Sequence, residues 1–172
     1  MCHDNVKFQY WLSSELRINQ TGKRNKAEFR LDFSNLPPGR IWEVKLAQYA
    51  LQCDDGEAVD EDGENAPIGI VDIQGFSLPY NMEVTEPLGS GNAGLSTKLS
   101  RIDLGPYSTG DDECCINPAS GVPALTVNRP QTGTYIVELM SGTTGALVTG
   151  KDGATDLQPW MALLEFTLKK EG

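Results

Sequence analysis

Apolar and polar residues alternate with a period of two through much of this chain, and that pattern constrains its fold more than any other feature. In VKFQYWL the side chains of Val6, Phe8, Tyr10 and Leu12 share one face. In AEFRLDF, Ala27, Phe29, Leu31 and Phe33 do so against Glu28, Arg30 and Asp32. Successive side chains of a strand point to opposite faces, so such segments bury one face and wet the other. IWEVKLAQYALQ repeats the pattern, with Trp42, Val44 and Leu46 set against Glu43, Lys45 and Ala47. IGIVDIQGF is apolar on both faces and suits a covered strand, and GLSTKLSRIDLG offers another with Leu99, Ile102 and Leu104 buried. VPALTVNRP gives a short strand stopped at Pro130, whose missing N–H cannot join a ladder. GTYIVELMSGTTGALVTG reads as a strand, a Gly-rich turn and a shorter strand, which is hairpin chemistry.

The last apolar segment, LQPWMALLEFTLKK, fits two periods. Trp160, Ala162, Leu164, Phe166 and Leu168 alternate as a strand would, while Trp160, Leu163, Leu164 and Leu168 fit a helix starting behind Pro159. The β character of everything upstream favours the strand. About eight or nine short strands separated by Gly- and Pro-bearing loops point to an all-β sandwich or barrel. With 172 residues, the chain suits a single domain spanning 1–172, with long loops near 54–67 and 77–95.

Charge narrows the partners. Fourteen Lys plus Arg against 24 Asp plus Glu leave a net charge of −10, and affinity for nucleic acid rests on cations displacing counterions from phosphates. The one basic run, GKRNK at Gly22 to Lys26, lies between two strand-like segments and reads as a solvated hairpin tip. No apolar run approaches the roughly 18 residues that span a bilayer, and MCHDNVKF lacks the layout of a signal peptide. Cys2, Cys53, Cys114 and Cys115 are accordingly expected as free thiols in a reducing compartment.

The motifs that could carry chemistry fail on inspection. GSGNAG at Gly89 to Gly94 has the G-x-G-x-x-G spacing, but it follows a loop and precedes no convincing helix, so the dinucleotide fingerprint lacks its strand and helix. GALVTGKD at Gly145 to Asp152 ends in Asp where a P-loop needs Ser or Thr for Mg²⁺. One histidine, His3, leaves no set for a Ser-His-Asp or Cys-His site or for a multi-histidine metal barrel. Vicinal Cys114 and Cys115 do not have zinc-finger spacing. Asp54, Asp55, Glu57, Asp60, Glu61, Asp62 and Glu64 crowd residues 54–64, but an EF-hand register places Ala58 and Gly69 at ligand positions, so the run reads as a self-repelling loop. No catalytic residue, cofactor or metal is therefore expected.

IWEVKLAQYALQ, together with TGTYIVELMSGTTGALVTG and LQPWMALLEFTLKK, resembles the early and closing strands of single jelly-roll minor capsid or penton-type proteins of large icosahedral DNA viruses. The likeness covers Gly39 to Gln52 and Gly133 to Lys170, and nothing between Asp54 and Asn128 takes part in it. It implies a jelly-roll β-sandwich of about eight strands in two antiparallel sheets. It also implies a non-enzymatic virion subunit, made inside the host cell, that meets other capsid proteins and forms a homo-oligomer such as a pentamer or trimer. The chain departs from many small-virus capsid proteins in having no basic N-terminal arm, which implies no direct genome contact. Apolar residues of GFSLPYNMEV, namely Phe76, Leu78, Tyr80 and Met82, are the candidate assembly interface, because aromatic and Met side chains are enriched in interface cores. A carbohydrate-binding β-sandwich, calcium-assisted through the acidic loop, is the alternative raised by Trp11, Trp42 and Trp160. Alternation turns Trp42 and Trp160 inward, where neither could stack on a sugar.

Overall fold

The computed structural model describes residues 6–38, 41–52, 58–77, 98–104, 115–116, 124–150 and 156–169. They form eleven strands: β1 (Lys7–Ser13), β2 (Lys26–Leu31), β3 (Ile41–Leu51), β4 (Val59–Asp60), β5 (Ile68–Gln74), β6 (Lys98–Asp103), β7 (Cys115–Ile116), β8 (Leu125–Asn128), β9 (Gly133–Ser141), β10 (Val148–Thr149) and β11 (Trp160–Leu168). Among the described residues, helix is confined to one 3-10 turn, Ser14–Leu16, where the Ser13 hydroxyl accepts the Glu15 N–H. The closing segment that fitted two periods is a strand, with Trp160, Ala162, Leu164 and Phe166 buried.

Two antiparallel sheets face each other. In sheet A the order is β1-β11-β3, with β7 and β8 both on the far side of β3, and in sheet B it is β2-β9-β5-β6. A two-strand ribbon, β4 with β10, lies beside them. Among the eight longer strands the pairing is nested. β1 pairs the last strand β11, β2 pairs β9, β3 pairs β8, and β5 pairs β6. The pairs β11–β3 and β9–β5 then join these ribbons into sheets.

The core between the sheets is the one the alternation marks out. Trp42, Val44 and Leu46 of β3, Val71 and Ile73 of β5, Tyr135, Val137 and Leu139 of β9, and the inward residues of β11 are all buried. One irregularity lets β3 stay in register with a strand of unbroken alternation. Leu164 pairs Leu46 while Leu163 pairs Gln48, so Ala47 has no counterpart on β11. This bulge shifts the phase of β3 by one residue, and Tyr49 and Leu51 face the core as Trp42, Val44 and Leu46 do. The Tyr49 ring then stacks on Trp160 at 5.4 Å, and Trp160 meets Phe29 of the facing sheet edge-on at 5.9 Å.

Phe8, Tyr10, Phe33, Phe76, Tyr135 and Phe166 form a continuous aromatic cluster inside the sandwich, with centroids 4.7 to 6.5 Å apart. Gly75 makes this possible at the end of β5. Its φ of +123° is open to glycine, and a Cβ there would stand 2.7 Å from Cδ1 of Tyr135. Val6, which the alternation groups with Phe8 and Tyr10, precedes β1 and is 41% exposed.

The basic run GKRNK is not a solvated hairpin tip. β1 and β2 lie in different sheets, so the segment between them crosses the sandwich, and two of its three cations find ion-pair partners on the way. Arg24 binds Glu15 at 2.5 Å and Asp156 at 3.0 Å, while its carbonyl accepts the Trp160 indole N–H at 2.8 Å. Glu15 is held below its ordinary value chiefly by the hydrogen bond from Arg24. Buried Arg17 donates to the carbonyls of Ser14, Gln20 and Gly22. Only Lys23 of the cations in GKRNK has no ion-pair partner among the described residues; Lys26 pairs Glu138 at 3.1 Å.

Candidate functional site

With the inward positions filled by core, the surface that the described strands offer to other molecules lies on their outward positions and edges. On sheet A the outward side chains divide into two zones along the strands. At one end Lys7 pairs Glu165 at 3.2 Å, Gln9 donates to the same carboxylate at 3.4 Å, Lys45 stands opposite Glu165 in the β3 register, and Lys169 pairs Glu43 at 3.4 Å. At the other end Trp11 stands opposite Leu163, Ser13 opposite Met161, Leu163 opposite Gln48 and Met161 opposite Ala50. No charged residue occurs among these six. Trp11 is 55% and Met161 45% exposed, and they flank a Leu163 that is buried although it points outward. Exposed Leu16 and Ile18 follow in the segment after β1.

The outward face of sheet B has the opposite character. Register places Lys26, Glu138, Asp72 and Lys98 in one row across all four strands. Glu138 is buried and its carboxylate is divided between Lys26 at 3.1 Å and the Gln74 amide at 3.3 Å. Asp72 is also buried, and its Oδ1 has no hydrogen-bond partner among the described residues. Two carboxylates thus stand on neighbouring strands, an arrangement that costs free energy unless flanking cations offset it.

The residues singled out from sequence fall in different places. Phe76 is half-buried and its ring lies 4.7 Å from Tyr135 and 5.9 Å from Phe166, so it packs inward; Leu78, Tyr80 and Met82 lie outside the described residues. Trp42 and Trp160 are buried, as the alternation requires, and Trp11 is outward. His3, Cys2, Cys53, Cys114 and the GSGNAG stretch lie outside the described residues, and Cys115 begins β7. Val148 and Thr149 of GALVTGKD are strand residues, but they pair β4, and of the hairpin expected with β9 only the isolated bridge Met140–Leu147 forms.

The described part of the acidic run shows what one of its carboxylates does. Oδ1 of Asp60 accepts the N–H groups of Asp62 and Glu64, both at 3.0 Å, and Oδ2 accepts the Thr144 hydroxyl. Gly63, at φ +82°, closes the turn. Burial pushes the Asp60 carboxyl up, but the Thr144 hydroxyl and the surrounding backbone N–H groups outweigh it and hold the group below its ordinary value. Asp60 therefore serves as a buried turn organiser joining β4 to the turn between β9 and β10, while Glu61, Asp62 and Glu64 remain exposed. Among the described residues no group of three or more His, Cys, Asp or Glu could hold a metal ion. No helix of the described residues is long and apolar enough to cross a membrane.

Sequence reasoning passed over the neutral zone around Trp11 and the charged row through Asp72. Half of the first was available: the alternation that turns Phe8, Tyr10 and Leu12 inward must turn Trp11 outward. The rest depends on which strands become neighbours. Comparison of the chain with protein families, with curated proteins and with solved structures finds no match.

Proposed function

We propose that this chain is a jelly-roll structural subunit of an icosahedral virus shell, of the minor capsid or penton type, working through contacts with other shell proteins. The observation that carries the reading is the nested pairing. Counting the eight longer strands, the first pairs the last, the second the seventh, the third the sixth and the fourth the fifth. A long antiparallel ribbon wound as a jelly roll and folded over into two facing sheets would leave this pairing, and that supports the reading. The fate of the polar groups also supports the reading. Buried Arg17, Asp60 and Glu138 are engaged in holding turns and strands. What faces outward is sheet surface and edge, the material of subunit contacts.

In this reading the chain oligomerises within the shell, as a pentamer or trimer, by burial of complementary surface. Electron microscopy of the native assembly containing the chain tests it. The expected result is the sandwich repeated at symmetry-related positions of a closed shell. A native protein that stays a lone monomer and never enters particles overturns the reading.

One observation favours a second reading, a carbohydrate-binding module. Trp11 is outward and exposed, in a zone without charge that also holds Ser13 and Gln48, and an indole face with neighbouring hydroxyl and amide groups suits a neutral sugar ring. Tryptophan fluorescence during titration with neutral oligosaccharides, with and without calcium, decides it. A change that is lost in Trp11→Ala supports the module, and an unchanged spectrum ends it.

A further inference from the structure

An open sheet edge presents a row of unpaired N–H and C=O groups, and proteins blunt such edges with charge, with cover or by keeping them short. Three of the four edges of this sandwich are blunted in these ways. β6, the outer strand of sheet B, carries Lys98, Arg101 and Asp103 among its six residues. β2, the opposite edge of that sheet, is covered: Ile18 donates its N–H to the Glu28 carbonyl at 2.8 Å, and the Glu28 N–H donates to the Asn19 side chain at 2.9 Å. The far side of β3 is lined by strands of only four and two residues, β8 and β7.

The fourth edge is β1, and among the described residues it is bare. It has seven residues, KFQYWLS, with a single charge at Lys7, no proline and no bulge in its register with β11. Among the described residues, no backbone group of residues 7–12 makes a hydrogen bond outside the β1–β11 ladder. None of the seven is acidic, in a chain of net charge −10.

We propose that β1 pairs antiparallel with β1 of a second copy of this chain, across a two-fold axis through Tyr10, so that two sandwiches share one continuous sheet. This deepens the shell reading, on which its biological role rests, by naming a contact and its partner. The sequence of the strand fits this occupant. The register centred on Tyr10 is the only one that pairs all seven residues. It sets Lys7 against Ser13, Phe8 against Leu12 and Gln9 against Trp11, each twice by symmetry. No like charges meet, apolar side chains meet on the inner face, and an amide lies beside an indole on the outer one. The contact adds main-chain hydrogen bonds where the free subunit has none, as strand addition does in peptide recognition.

Sedimentation velocity on the full chain over a dilution series tests the pairing. The wild type is expected to form dimers that tighten as salt rises, because screening relieves repulsion between two copies of charge −10. Gln9→Lys alone and Trp11→Glu alone should each raise the dissociation constant about tenfold, since each change is present twice in the interface. The double variant should recover most of that loss, because each ammonium introduced at position 9 then meets a carboxylate introduced at position 11 of the other copy. Arg101→Glu on β6 should weaken dimerisation far less than Trp11→Glu, and only through the added net charge. A wild type that is monomeric throughout, or a double variant no better than the single ones, overturns the proposal. Thermal melts of the variants monitor folding, and positions 9 and 11 are both exposed. A dimer that never enters particles overturns the shell reading alone, and a monomer that does enter them overturns the edge pairing alone.

Discussion

The outward faces of the two sheets are built on the same alternation and finish with opposite chemistry. On sheet B the row Lys26, Glu138, Asp72, Lys98 runs across four strands, and its central carboxylates are buried within the row. At the uncharged end of sheet A the corresponding positions carry Trp11, Leu163, Met161, Gln48 and Ala50, with Trp11 and Met161 largely in solvent. In the charged row Glu138 finds its partners, Lys26 and Gln74, inside its own sheet. An apolar row does not, because the strands beside it point their side chains the same way and cannot cover it. The difference separates a face committed to holding strands in register from a face with binding free energy still unused.

The sharpest way to break that comparison is to remove the centre of the charged row. Glu138→Ala should cost about 1–2 kcal/mol in a urea titration, because a buried carboxylate loses its charge-assisted bonds from Lys26 and Gln74, a loss that water on those two exposed groups and relief of the facing Asp72 carboxylate only partly offset. A cost near zero would mean that sheet B's face is as uncommitted as sheet A's.

Acid should act on Asp60 and spare the neutral zone. Asp60 is held below its ordinary value of 3.8, so its contribution is present above that value and disappears as pH falls through the lowered one. Asp60→Asn, which keeps the shape but loses the charge-assisted bonds, should cost about 1 kcal/mol near neutral pH. It should also flatten the stability profile below about pH 4, where the wild type loses what the variant never had. Denaturant midpoints across an acid series measure both, and parallel profiles would remove Asp60 from its role.

A smaller effect of opposite sign is expected beside Glu138. Asp72→Asn removes one of two facing carboxylates and supplies a donor next to Glu138, so it should stabilise the fold by about 0.2–1 kcal/mol. A loss of stability would show that the Asp72 charge is needed where it stands. Smallest of all should be Trp11→Ala. An exposed outward side chain contributes within about 0.5 kcal/mol to folding, so the melting temperature should barely move while association through the β1 edge changes. A large fall in stability would place Trp11 among the structural residues and dissolve the contrast between the faces.

The strands themselves were legible, and with them the inward set Phe29, Trp42, Val44, Leu46, Trp160 and Phe166. The ambiguous closing segment was decided by its neighbours: between β1 and β3, two antiparallel partners, a strand buries every alternate residue and a helix could not. Ala47 gave no warning of the bulge it makes, because the extra residue exists only relative to β11. The basic run misled for a similar reason. Its Arg24 meets Asp156, 132 residues away along the chain, and no local pattern announces such a partner.

By itself the sequence determined what each strand shows to either side, because alternation follows from the geometry of a single extended backbone. Trp11 outward and Trp160 inward are consequences of that geometry. Only the tertiary structure decided which strands became neighbours. From that choice follow the neutral zone, the charged row and the β1 edge left bare among the described residues, since each is a property of two or more strands in register and none belongs to a strand alone.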